Sequence, residues 1–361
     1  MIEPGEAIGI LGGGQLARML CLAAAELGLR TIVLDPDKAA PAAQLAARHL
    51  CADFTDASAI SELCASVAVV THEWENVPLE TVFKIAERVP VLPSPRALET
   101  KQDRLREKQF LTGLKIEVAS FADISSTDDI AAAERLVGFP AVLKTRREGY
   151  DGKGQAKVSS RHELETALRR FARPCCLEAF VNFDGEASII AVRAQDGSFA
   201  AYDLTENAHT SEHILKTSRV PARWNEPLAS RGRLIAQNIA ESLGYVGVLG
   251  VEFFVVGEKL IVNEVAPRVH NSGHWTIDAA ETSQFTQHMR AICGWPLGSP
   301  ARHSDAVMTN LIGDDVREWS SFLKAPNAHL HLYGKRETRA GRKMGHVTHT
   351  FPIGGKPSKA T

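Results

Sequence analysis

Several side chains that can donate or accept hydrogen bonds follow a short apolar run in the segment IVNEVAPRVHNSGHWT, residues 261–276. Glu264 stands near the end of that run. The polar side chains behind it are Arg268, His270, Asn271, Ser272 and His274. A polar loop that caps the next helix would explain Asn271 or Ser272. It would not explain Arg268 and His274 together, so we interpret the segment as a candidate site of chemistry.

A second carboxylate faces Glu264 if the segment VEFFVVGEKLIVNE, residues 251–264, folds as a hairpin. A three-residue loop at 257–259 would place Glu252 directly opposite Glu264. Like charges opposed at about 5 Å destabilise a sheet, so a compensating cation is expected. Carboxylate and amide oxygens suit Mg²⁺, and we predict a metal site at Glu252 and Glu264 with Asn263 beside it. A solvated edge or a different register is the alternative.

The segment EGYDGKGQ, residues 148–155, carries three glycines with Asp151 and Lys153 between two strand-like runs. Backbone N–H groups of such a loop can close over a polyphosphate, and a lysine neutralises charge there. The loop is not a Walker A motif, because GxxxxGK[ST] is absent and no helix follows directly. A hairpin turn would need the Asp-Gly pair but not the other glycines and the lysine, so phosphate binding is favoured.

The run GGGQLA, residues 12–17, lies between an apolar strand pattern and a helical pattern. Gly12, Gly14 and Ala17 fit the G-x-G-x-x-G/A fingerprint, and Asp35 ends the next strand. Backbone amides at a helix N-terminus favour contact with a phosphate. The match is weak evidence for NAD, because a tight strand-to-helix turn needs glycines for its geometry in any case.

Single charged residues become candidates for nucleotide binding because they lie beside these loops. Lys144 ends the strand-like AVLK and can reach a phosphate or a purine nitrogen, while Glu186 opens EASIIAV and can bind ribose hydroxyls. The basic segment YGKRETRAGRKMGHV, at 333–347, contains Lys335, Arg336, Arg339, Arg342 and Lys343. A phosphate monoester needs two or three such cations, whereas nucleic acid binding would also call for aromatic stacking side chains. A solvated basic face is the plainer interpretation.

The composition excludes several classes of protein. The chain has 361 residues, 44% of them hydrophobic and 23% charged, which is typical of a soluble protein of about two to three domains. A formal net charge of −2 favours neither nucleic acid nor an anionic membrane as partner. The six cysteines form no CxxC pair, and neither a secretory signal nor a run of about 20 apolar residues is present. We therefore expect a cytoplasmic protein with reduced thiols.

Changes in hydrophobic period predict three domains, at residues 1–98, 99–296 and 297–361. In the first, strands and helices alternate, with further strands at 67–74 and 89–94, so a parallel α/β sheet is expected. The second has α+β order and begins with an amphipathic helix at 101–114. The third is small and β-rich, with strands in AVMTNLIG and HLHLYG.

The motifs GYDGKGQ, EAFV, GVEFFV and VNEVAPRVHNSGHWT occur in this order, and the chain resembles the ATP-grasp superfamily over nearly its whole length. With GGGQLARML near the start and GKRETRAGRKMGHV near the end, it more narrowly resembles the 5-(carboxyamino)imidazole ribonucleotide synthases of purine biosynthesis. The resemblance implies a Rossmann-like N-terminal domain, a central ATP-grasp domain and a small β-rich C-terminal domain. It also implies a homodimer.

The resemblance further implies an ATP- and Mg²⁺-dependent ligase. ATP would phosphorylate bicarbonate to carboxyphosphate. The exocyclic amine of 5-aminoimidazole ribonucleotide would then take up the carboxyl group, either directly or through released CO₂. The products would be the carbamate, ADP and phosphate.

The resemblance assigns roles by position. Contacts to ATP would come from Arg104, Lys144, Gly149, Tyr150, Asp151, Gly152, Lys153, Gly154, Gln155, Glu178, Ala179, Phe180, Val181, Glu186, His209, Asn263 and Glu264. Mg²⁺ would be bound by Glu252 and Glu264. The imidazole ribonucleotide would be held by Gln15, Leu16, Glu73, Asn271, Ser272, Lys335, Arg342 and Lys343. The space for bicarbonate and carboxyphosphate would be lined by Arg268, Ser272 and His274, and the catalytic group would comprise Arg268, His274, Lys153 and Asp151.

Three alternatives stay open from the sequence. A sister ATP-grasp ligase, such as a formate-dependent glycinamide ribonucleotide transformylase, would share the nucleotide site and use another acceptor. An NAD-dependent dehydrogenase would use the first domain and leave the Glu252–Glu264 pair idle. A nucleotide-binding sensor would bind ATP without turnover.

Overall fold

The computed structural model describes residues 1–149 and 154–355. Its first unit consists of β1 (Ala7–Leu11), α1 (Gln15–Glu26), β2 (Arg30–Leu34), β3 (Arg48–Leu50), α2 (Ala57–Ser66), β4 (Val69–His72) and α3 (Leu79–Ala86). The four strands form one parallel sheet in the order β3-β2-β1-β4, which confirms the predicted α/β unit. All of β1 is buried, because helices cover both faces of such a sheet.

The expected strand at 89–94 is wrong. Among the described residues, this run contributes a single bridge to the sheet, from Val91 to Val70. Pro90 and Pro93 have no N–H to donate, so the run cannot continue a hydrogen-bonded ladder.

The second unit consists of α4 (Pro95–Gln102), α5 (Arg104–Gly113), β5 (Phe121–Ile124), α6 (Ile130–Val137), β6 (Ala141–Thr145), β7 (Gln155–Val158), α7 (Arg161–Phe171) and β8 (Cys175–Ala179). Its strands form an antiparallel sheet in the order β5-β8-β6-β7. The single helix expected at 101–114 is two helices. Asp103 has an extended backbone and caps α5 by accepting the Leu105 N–H at 3.1 Å. Its carboxylate also pairs with Arg146 at 2.6 Å, which ties the helix break to β6.

The third unit consists of β9 (Gly185–Arg193), β10 (Phe199–Ala201), β11 (Thr205–His209), β12 (Leu215–Val220), α8 (Glu226–Ser242), β13 (Gly247–Val256), β14 (Lys259–Ala266), α9 (Thr276–Ala279), α10 (Gln284–Ile292), β15 (Asp305–Ile312), α11 (Trp319–Phe322), β16 (Ala328–Leu332) and β17 (Lys343–Phe351). One nine-stranded sheet holds all of its strands, in the order β14-β13-β9-β11-β12-β15-β17-β16 with β10 on β9. Strands β15, β16 and β17, which lie within the expected third domain at 297–361, therefore extend the sheet formed by β9–β14 of the expected second domain. Strand β17, within and beyond the basic segment, is not predicted from the sequence.

The β13–β14 hairpin has the predicted opposition of Glu252 and Glu264, reached by a different route. Its turn has two residues, Gly257 and Glu258, so the ladder starts one residue out of the expected register. A bulge after Val262 inserts Asn263 as an extra residue and restores the pairing of the two glutamates.

Helix α10 joins the first sheet to the large one. It packs against both α1 and β13. His288 of α10 contacts the Thr71 hydroxyl at 2.9 Å and accepts the Val248 N–H at 3.1 Å. Burial lowers the pKa of His288 to about 3, so the ring is neutral at neutral pH. By bonding both Thr71 of β4 and Val248 of β13, His288 holds the end of β4 against the large sheet. Across the described parts of the chain, no helix combines the length and apolar character of a membrane span.

Candidate active site

Each of the two opposed carboxylates has a basic side chain beside it. Glu264 Oε2 lies 3.3 Å from Lys101 Nζ and 3.9 Å from Arg104 Nη1. The Lys101 charge holds the pKa of Glu264 well below its usual range, although burial opposes it. His270 Nε2 lies 3.1 Å from Glu252 Oε1. Burial raises the pKa of Glu252, but the hydrogen bond and charge of His270, together with His209, lower it overall. Both groups are therefore ionised at neutral pH.

Asn263, the bulged residue, supplies a third oxygen beside the pair. Its Oδ1 is buried and has no hydrogen-bond partner among the described residues. Its backbone carbonyl accepts from Lys108 Nζ at 2.9 Å, which holds the bulge in place. Two carboxylates and an unpartnered amide oxygen form the all-oxygen donor set that suits Mg²⁺. The residues present therefore fit that cation.

Three cations surround the carboxylate of Glu178. Its oxygens lie 3.3 Å from Lys108 Nζ, 3.1 Å from Lys144 Nζ and 3.9 Å from Arg104 Nη1. Burial raises the pKa of Glu178, but the three cations together lower it to about 2. The side chain is 2% exposed, so it orients the cations and has no open face for an adenine. Burial also lowers the pKa of Lys144, and the attraction of Glu178 offsets only part of this.

The residues after Glu178 carry the chain out of β8 towards β9. The Ala179 N–H donates to Ser120 O at 2.8 Å, which fixes the start of this strip. The Phe180 ring is 38% exposed, and Lys157 Nζ lies 3.9 Å from its centroid. Val181 is half-buried beside it. An exposed ring on a fixed backbone is a surface on which a flat base can lie.

Glu186 and His209 lie together at the ends of β9 and β11. His209 Nδ1 is 2.8 Å from Glu186 Oε2. Burial lowers the pKa of His209, but the hydrogen bond and the charge of Glu186 together raise it, and the net pKa is above its ordinary value. A bulge between Ala208 and His209 turns the imidazole towards Glu186. The register of β9, β13 and β14 puts Glu186 on the same face as Glu252 and Glu264.

Four residues of the glycine-rich loop lie outside the described residues: Tyr150, Asp151, Gly152 and Lys153. On either side, Gly149 follows β6 and Gln155 pairs with Lys144 at the start of β7. Gly154 has a φ of +71°, and a Cβ there would lie 2.6 Å from the Thr145 hydroxyl oxygen, so glycine is required. The loop therefore leaves and re-enters the sheet beside Lys144.

The charge of Glu148, next to this loop, is engaged elsewhere. Its Oε2 lies 3.1 Å from Arg173 Nη1. Its φ of +62° is unusual for a residue with a side chain.

The N-terminal glycine turn binds carboxylates of the chain itself. The Gly13 N–H donates to Asp35 Oδ2 at 2.7 Å, and the Gly14 N–H donates to Glu73 Oε2 at 3.3 Å. A Cβ at Gly14 would collide with Glu73, which explains the glycine. Burial raises the pKa of Glu73, although Arg268 and the Gly14 amide oppose it. The phosphate contact expected at this turn is not supported, because the Gly13 and Gly14 N–H groups that would bind a phosphate already donate to Asp35 and Glu73. Leu16 is buried and can offer only its backbone, while Gln15 is half-buried.

Arg268 connects the large sheet to the first unit. Its Nη2 lies 2.8 Å from Glu75 Oε1, just beyond β4, and its Nη1 donates to Val269 O at 3.0 Å. Asn271 is held by two reciprocal amide hydrogen bonds with Asn310, of 3.0 and 2.8 Å. Arg268 is therefore fixed at the junction with the first unit, and Asn271 is fixed against β15 of the large sheet.

Two residues expected to contact substrate are buried. The Ser272 hydroxyl has no exposure and bonds Ser188 at 2.7 Å and His270 Nδ1 at 2.9 Å. His274 is 1% exposed and packs against Phe285 and His346. Burial holds its pKa well below the usual range. The structure therefore contradicts direct roles for Ser272 and His274, and it places His270, which contacts Glu252, nearest the carboxylate pair.

The basic segment docks on the first unit. Gly334 O accepts from Gln44 Nε2 at 3.0 Å, and Gln44 Oε1 accepts from Arg18 Nη1 of α1 at 2.9 Å. Lys335 Nζ donates to Lys343 O at 2.7 Å, and Arg342 Nη1 donates to Glu337 O at 3.0 Å. The start of this segment thus packs against the first unit beside α1, the helix that begins at Gln15.

Comparison with known proteins identifies the family. Family models match for a ribonucleotide synthetase preATP-grasp domain over residues 6–102, an ATP-grasp domain over 109–285 and a phosphoribosylaminoimidazole carboxylase C-terminal domain over 306–352. An N5-carboxyaminoimidazole ribonucleotide synthase of Brucella melitensis is 50% identical, over 97% of this chain and 98% of its own. The chain belongs to the N5-carboxyaminoimidazole ribonucleotide synthase family. The synthase of Pseudomonas aeruginosa is 45% identical, over 94% of this chain and 93% of its own.

Solved structures of this synthase family share the fold. The protein from Thermus thermophilus has a TM-score of 0.89 and 45% identity, over 95% of this chain and 93% of its own. The protein from Aspergillus clavatus, in complex with ADP and 5-aminoimidazole ribonucleotide, has a TM-score of 0.90 and 31% identity, over 97% and 94%. Membership of the synthase family confirms the expected ATP-grasp fold and removes the dehydrogenase alternative.

Sequence reasoning misses three charged residues near the site: the partly buried Lys101 and the buried Glu107 and Lys108. Glu107 accepts the Val265 N–H at 2.6 Å, and Lys108 has no exposed surface. In an amphipathic helix such residues are expected to face water. A usable signal was the four-residue spacing of Arg104 and Lys108, which places both charges on one face of α5, whereas Lys101 lies on α4 before the helix break. That face looks into the site.

Proposed function

We propose that this protein catalyses the ATP-dependent carboxylation of 5-aminoimidazole ribonucleotide with bicarbonate, giving N5-carboxyaminoimidazole ribonucleotide, ADP and phosphate. Membership of the synthase family supports this reaction. The observation that carries it is the contact of 2.8 Å between Arg268 and Glu75. This contact joins the end of β14, which bears Glu264, to the first unit, which bears Glu73. The nucleotide side and the acceptor side therefore meet at Arg268.

Mg²⁺ is the cation that Glu252, Glu264 and Asn263 would hold. When bound, it would neutralise charge on the β- and γ-phosphate oxygens of ATP. Lys101 and His270 keep the two carboxylates ionised and in place, so these ligands are organised in advance.

In the first step, a bicarbonate oxygen forms a bond to the γ-phosphorus of ATP, and the bond to the β-phosphate oxygen breaks. ADP and carboxyphosphate result. Arg104 and Lys144 neutralise phosphate charge, and Arg268 stabilises the negative charge on carboxyphosphate. Lys153 adds a phosphate contact, and Gly149 to Gln155 cover the phosphates.

In the second step, the exocyclic amine forms a C–N bond to the carboxyl carbon, directly or after its release as CO₂. The C–O bond to phosphate breaks, phosphate leaves and the amine loses one proton. Asp151 is the proposed acceptor of that proton, because burial withdraws His274 from the role. The base of ATP lies along residues 179–181, with Glu178 orienting the cations behind them, and the ribose lies at Glu186 and His209.

The acceptor nucleotide lies between the first unit and the basic segment. Its phosphate is assigned to Lys335, Arg342 and Lys343, since the amides of the glycine turn are occupied by carboxylates. Glu73 and Asn271 are assigned to its N–H and O–H donors. Gln15 and the Leu16 backbone complete this wall.

We further propose domain limits at 1–98, 99–296 and 297–361, a homodimer and a cytoplasmic location. The limits follow the proline-rich stretches LPSPRALET and GWPLGSP. All six cysteines are free thiols, in keeping with a reducing compartment. The homodimer rests on the family resemblance.

The deciding experiment measures ATP-dependent phosphate release with Mg²⁺ and bicarbonate, with and without 5-aminoimidazole ribonucleotide. Strong stimulation by the ribonucleotide supports the reaction and the acceptor. Unstimulated release in a protein that still binds ATP would reject the acceptor. Stimulation by formate with glycinamide ribonucleotide would replace the proposal with the sister ligase.

A further inference from the structure

Two histidines and an aspartate converge at the far edge of the nine-stranded sheet. His331 of β16 and His346 of β17 are directly paired in the ladder, and their rings stack with centroids 4.5 Å apart. Both Asp278 oxygens, from α9, lie within reach of His331 Nε2, at 3.0 and 2.9 Å. One ligand atom from each of the three residues lies within 4.8 Å of the others. The proposed function uses none of them.

Two buried polar atoms at this cluster lack a partner among the described residues. They are His346 Nε2 and the Thr348 hydroxyl oxygen. His346 and Thr348 are two residues apart on β17, so their side chains share a face. Buried polar atoms are normally satisfied, so a pair of orphans on one face indicates a missing partner. His329, opposite Thr348, adds a third imidazole, with Nδ1 3.9 Å from Asp278 Oδ1.

The donor chemistry selects the class of partner. Two imidazoles and a carboxylate are ligands for Zn²⁺ and similar divalent transition metals, whereas Mg²⁺ takes oxygen ligands. His346 Nδ1 is engaged with the Tyr333 hydroxyl at 2.8 Å. This contact fixes the orientation of the His346 ring and leaves Nε2 as the nitrogen that can bind a metal. Metal-binding histidines usually have their other ring nitrogen hydrogen-bonded in this way.

The site is accessible and needs little movement. The Asp278 side chain is 9% exposed, His331 is 28% exposed and His329 is 42% exposed, so a cation can enter from the His329 side. Bonds of about 2.0–2.1 Å place tetrahedral ligands roughly 3.4 Å apart. The cluster must therefore contract by about an ångström, which the half-buried His331 can supply by a change of rotamer.

We propose that Asp278, His331 and His346 form a binding site for a divalent transition metal of the zinc class, separate from the Mg²⁺ site, with His329 or water as the fourth ligand. The metal pins the edge strand β16 and α9 to β17. Tyr333 connects this metal site to the proposed binding residues of the acceptor phosphate, because its ring lies 5.7 Å from Lys335 Nζ.

The test uses untagged protein, stripped with a chelator and kept in excess Mg²⁺ to occupy oxygen sites. Co²⁺ is titrated while its visible absorption is recorded, Zn²⁺ is added as competitor, and the thermal unfolding midpoint is measured with and without Zn²⁺. The variants are His331→Gln and the isosteric Asp278→Asn. The matched control is His349→Gln, three residues from His346 on β17 and hence on the opposite face.

Wild type and His349→Gln are expected to bind one Co²⁺ per chain, to lose its spectrum to Zn²⁺ and to unfold at a higher temperature with Zn²⁺. His331→Gln and Asp278→Asn are each expected to weaken binding by more than about ten-fold, the loss usual for removing even an outer partner of a metal. Equal binding in all four proteins, or no saturable binding in wild type, would overturn the proposal. Because Asp278→Asn keeps the shape of the side chain, it reports on the site even if His331→Gln folds poorly. Phosphate release plays no part in the readout, so failure here leaves the proposed reaction untouched.

Discussion

Glu252 and Glu264 face each other across the β13–β14 ladder although the turn between the strands has two residues. A regular ladder from that turn would put Glu264 out of register with Glu252. The extra residue, Asn263, brings them back into opposition and contributes a buried Oδ1 that has no hydrogen-bond partner within residues 1–149 and 154–355. The bulge is thus both the means of alignment and a component of the site.

Glu264→Gln should abolish measurable turnover while the protein still folds. The carboxamide removes one negative charge from the proposed Mg²⁺ site, and Lys101 keeps Glu107 as a counter-ion. We expect kcat to fall by about a hundred-fold or more. Phosphate release across a Mg²⁺ titration measures this, with Glu258→Gln in the exposed turn of the same hairpin as control. Near-normal activity in excess Mg²⁺ would refute the metal assignment.

Lys335→Ala should raise KM for the ribonucleotide far more than KM for ATP. Its ammonium belongs to the segment assigned to the substrate phosphate, and a lost charge-assisted phosphate contact costs about ten-fold or more in affinity. Initial rates with each substrate varied in turn give both constants, and exposed Arg336→Ala in the same segment is the control. Equal changes in the two KM values would show that the segment is misassigned.

Glu178→Gln should destabilise the protein, because it leaves Lys108, Lys144 and Arg104 without their shared counter-ion. The folded pKa of Glu178 is about 2 against an ordinary value of 4.5. A lowered carboxyl pKa stabilises the fold fully above about pH 4.5, and this contribution of about 3 kcal/mol is lost as pH falls towards 2. Urea unfolding of wild type should therefore weaken across that window, and the variant should show a lower stability at pH 7 and a flatter acid limb.

The surface variant Glu80→Gln, which breaks the exposed pair with Lys84, is the control for this experiment. Its stability should match wild type at every pH. A Glu178→Gln protein as stable as this control at pH 7 would show that the buried cluster contributes nothing.

His270→Gln and His274→Gln should separate chemistry from packing. His270 holds Glu252, so its replacement should lower kcat by about ten- to a hundred-fold with a modest change in stability. His274 is enclosed by Phe285 and His346, so its replacement should mainly lower the unfolding midpoint. Phosphate release and thermal unfolding on both proteins decide the point. The reverse pattern would restore the sequence-based assignment of His274.

Sequence patterns predict the elements of this fold where one period dominates. The continuous apolar runs of β1, β2 and β4 and the glycine turn between β1 and α1 are such cases. Strand β17, KMGHVTHTF, escapes prediction because a lysine, a glycine, two histidines and two threonines hide its alternation. The pairing of Glu252 with Glu264 is predicted from an incorrect turn length, and a bulge corrects the error.

Burial is what sequence reasoning fails to predict in the candidate site. The polar side chains of residues 268–274 are close in sequence, but Arg268 contacts the first unit while Ser272 and His274 are buried. Lys108 and Glu178 are far apart in sequence and meet only because α5 packs over the sheet that contains β8. Long-range packing decides such contacts, and local periodicity carries no information about them.

The continuous sheet also limits how the chain can be shortened. Strand β12 hydrogen-bonds β15, so a protein ending at residue 296 would lose β15, β16 and β17 together. It would expose a bare edge at β12, and open strand edges recruit other chains into aggregates. The basic segment is therefore not a detachable module, because its strand β17 must fold in the same sheet as the strands that carry Glu186 and His209.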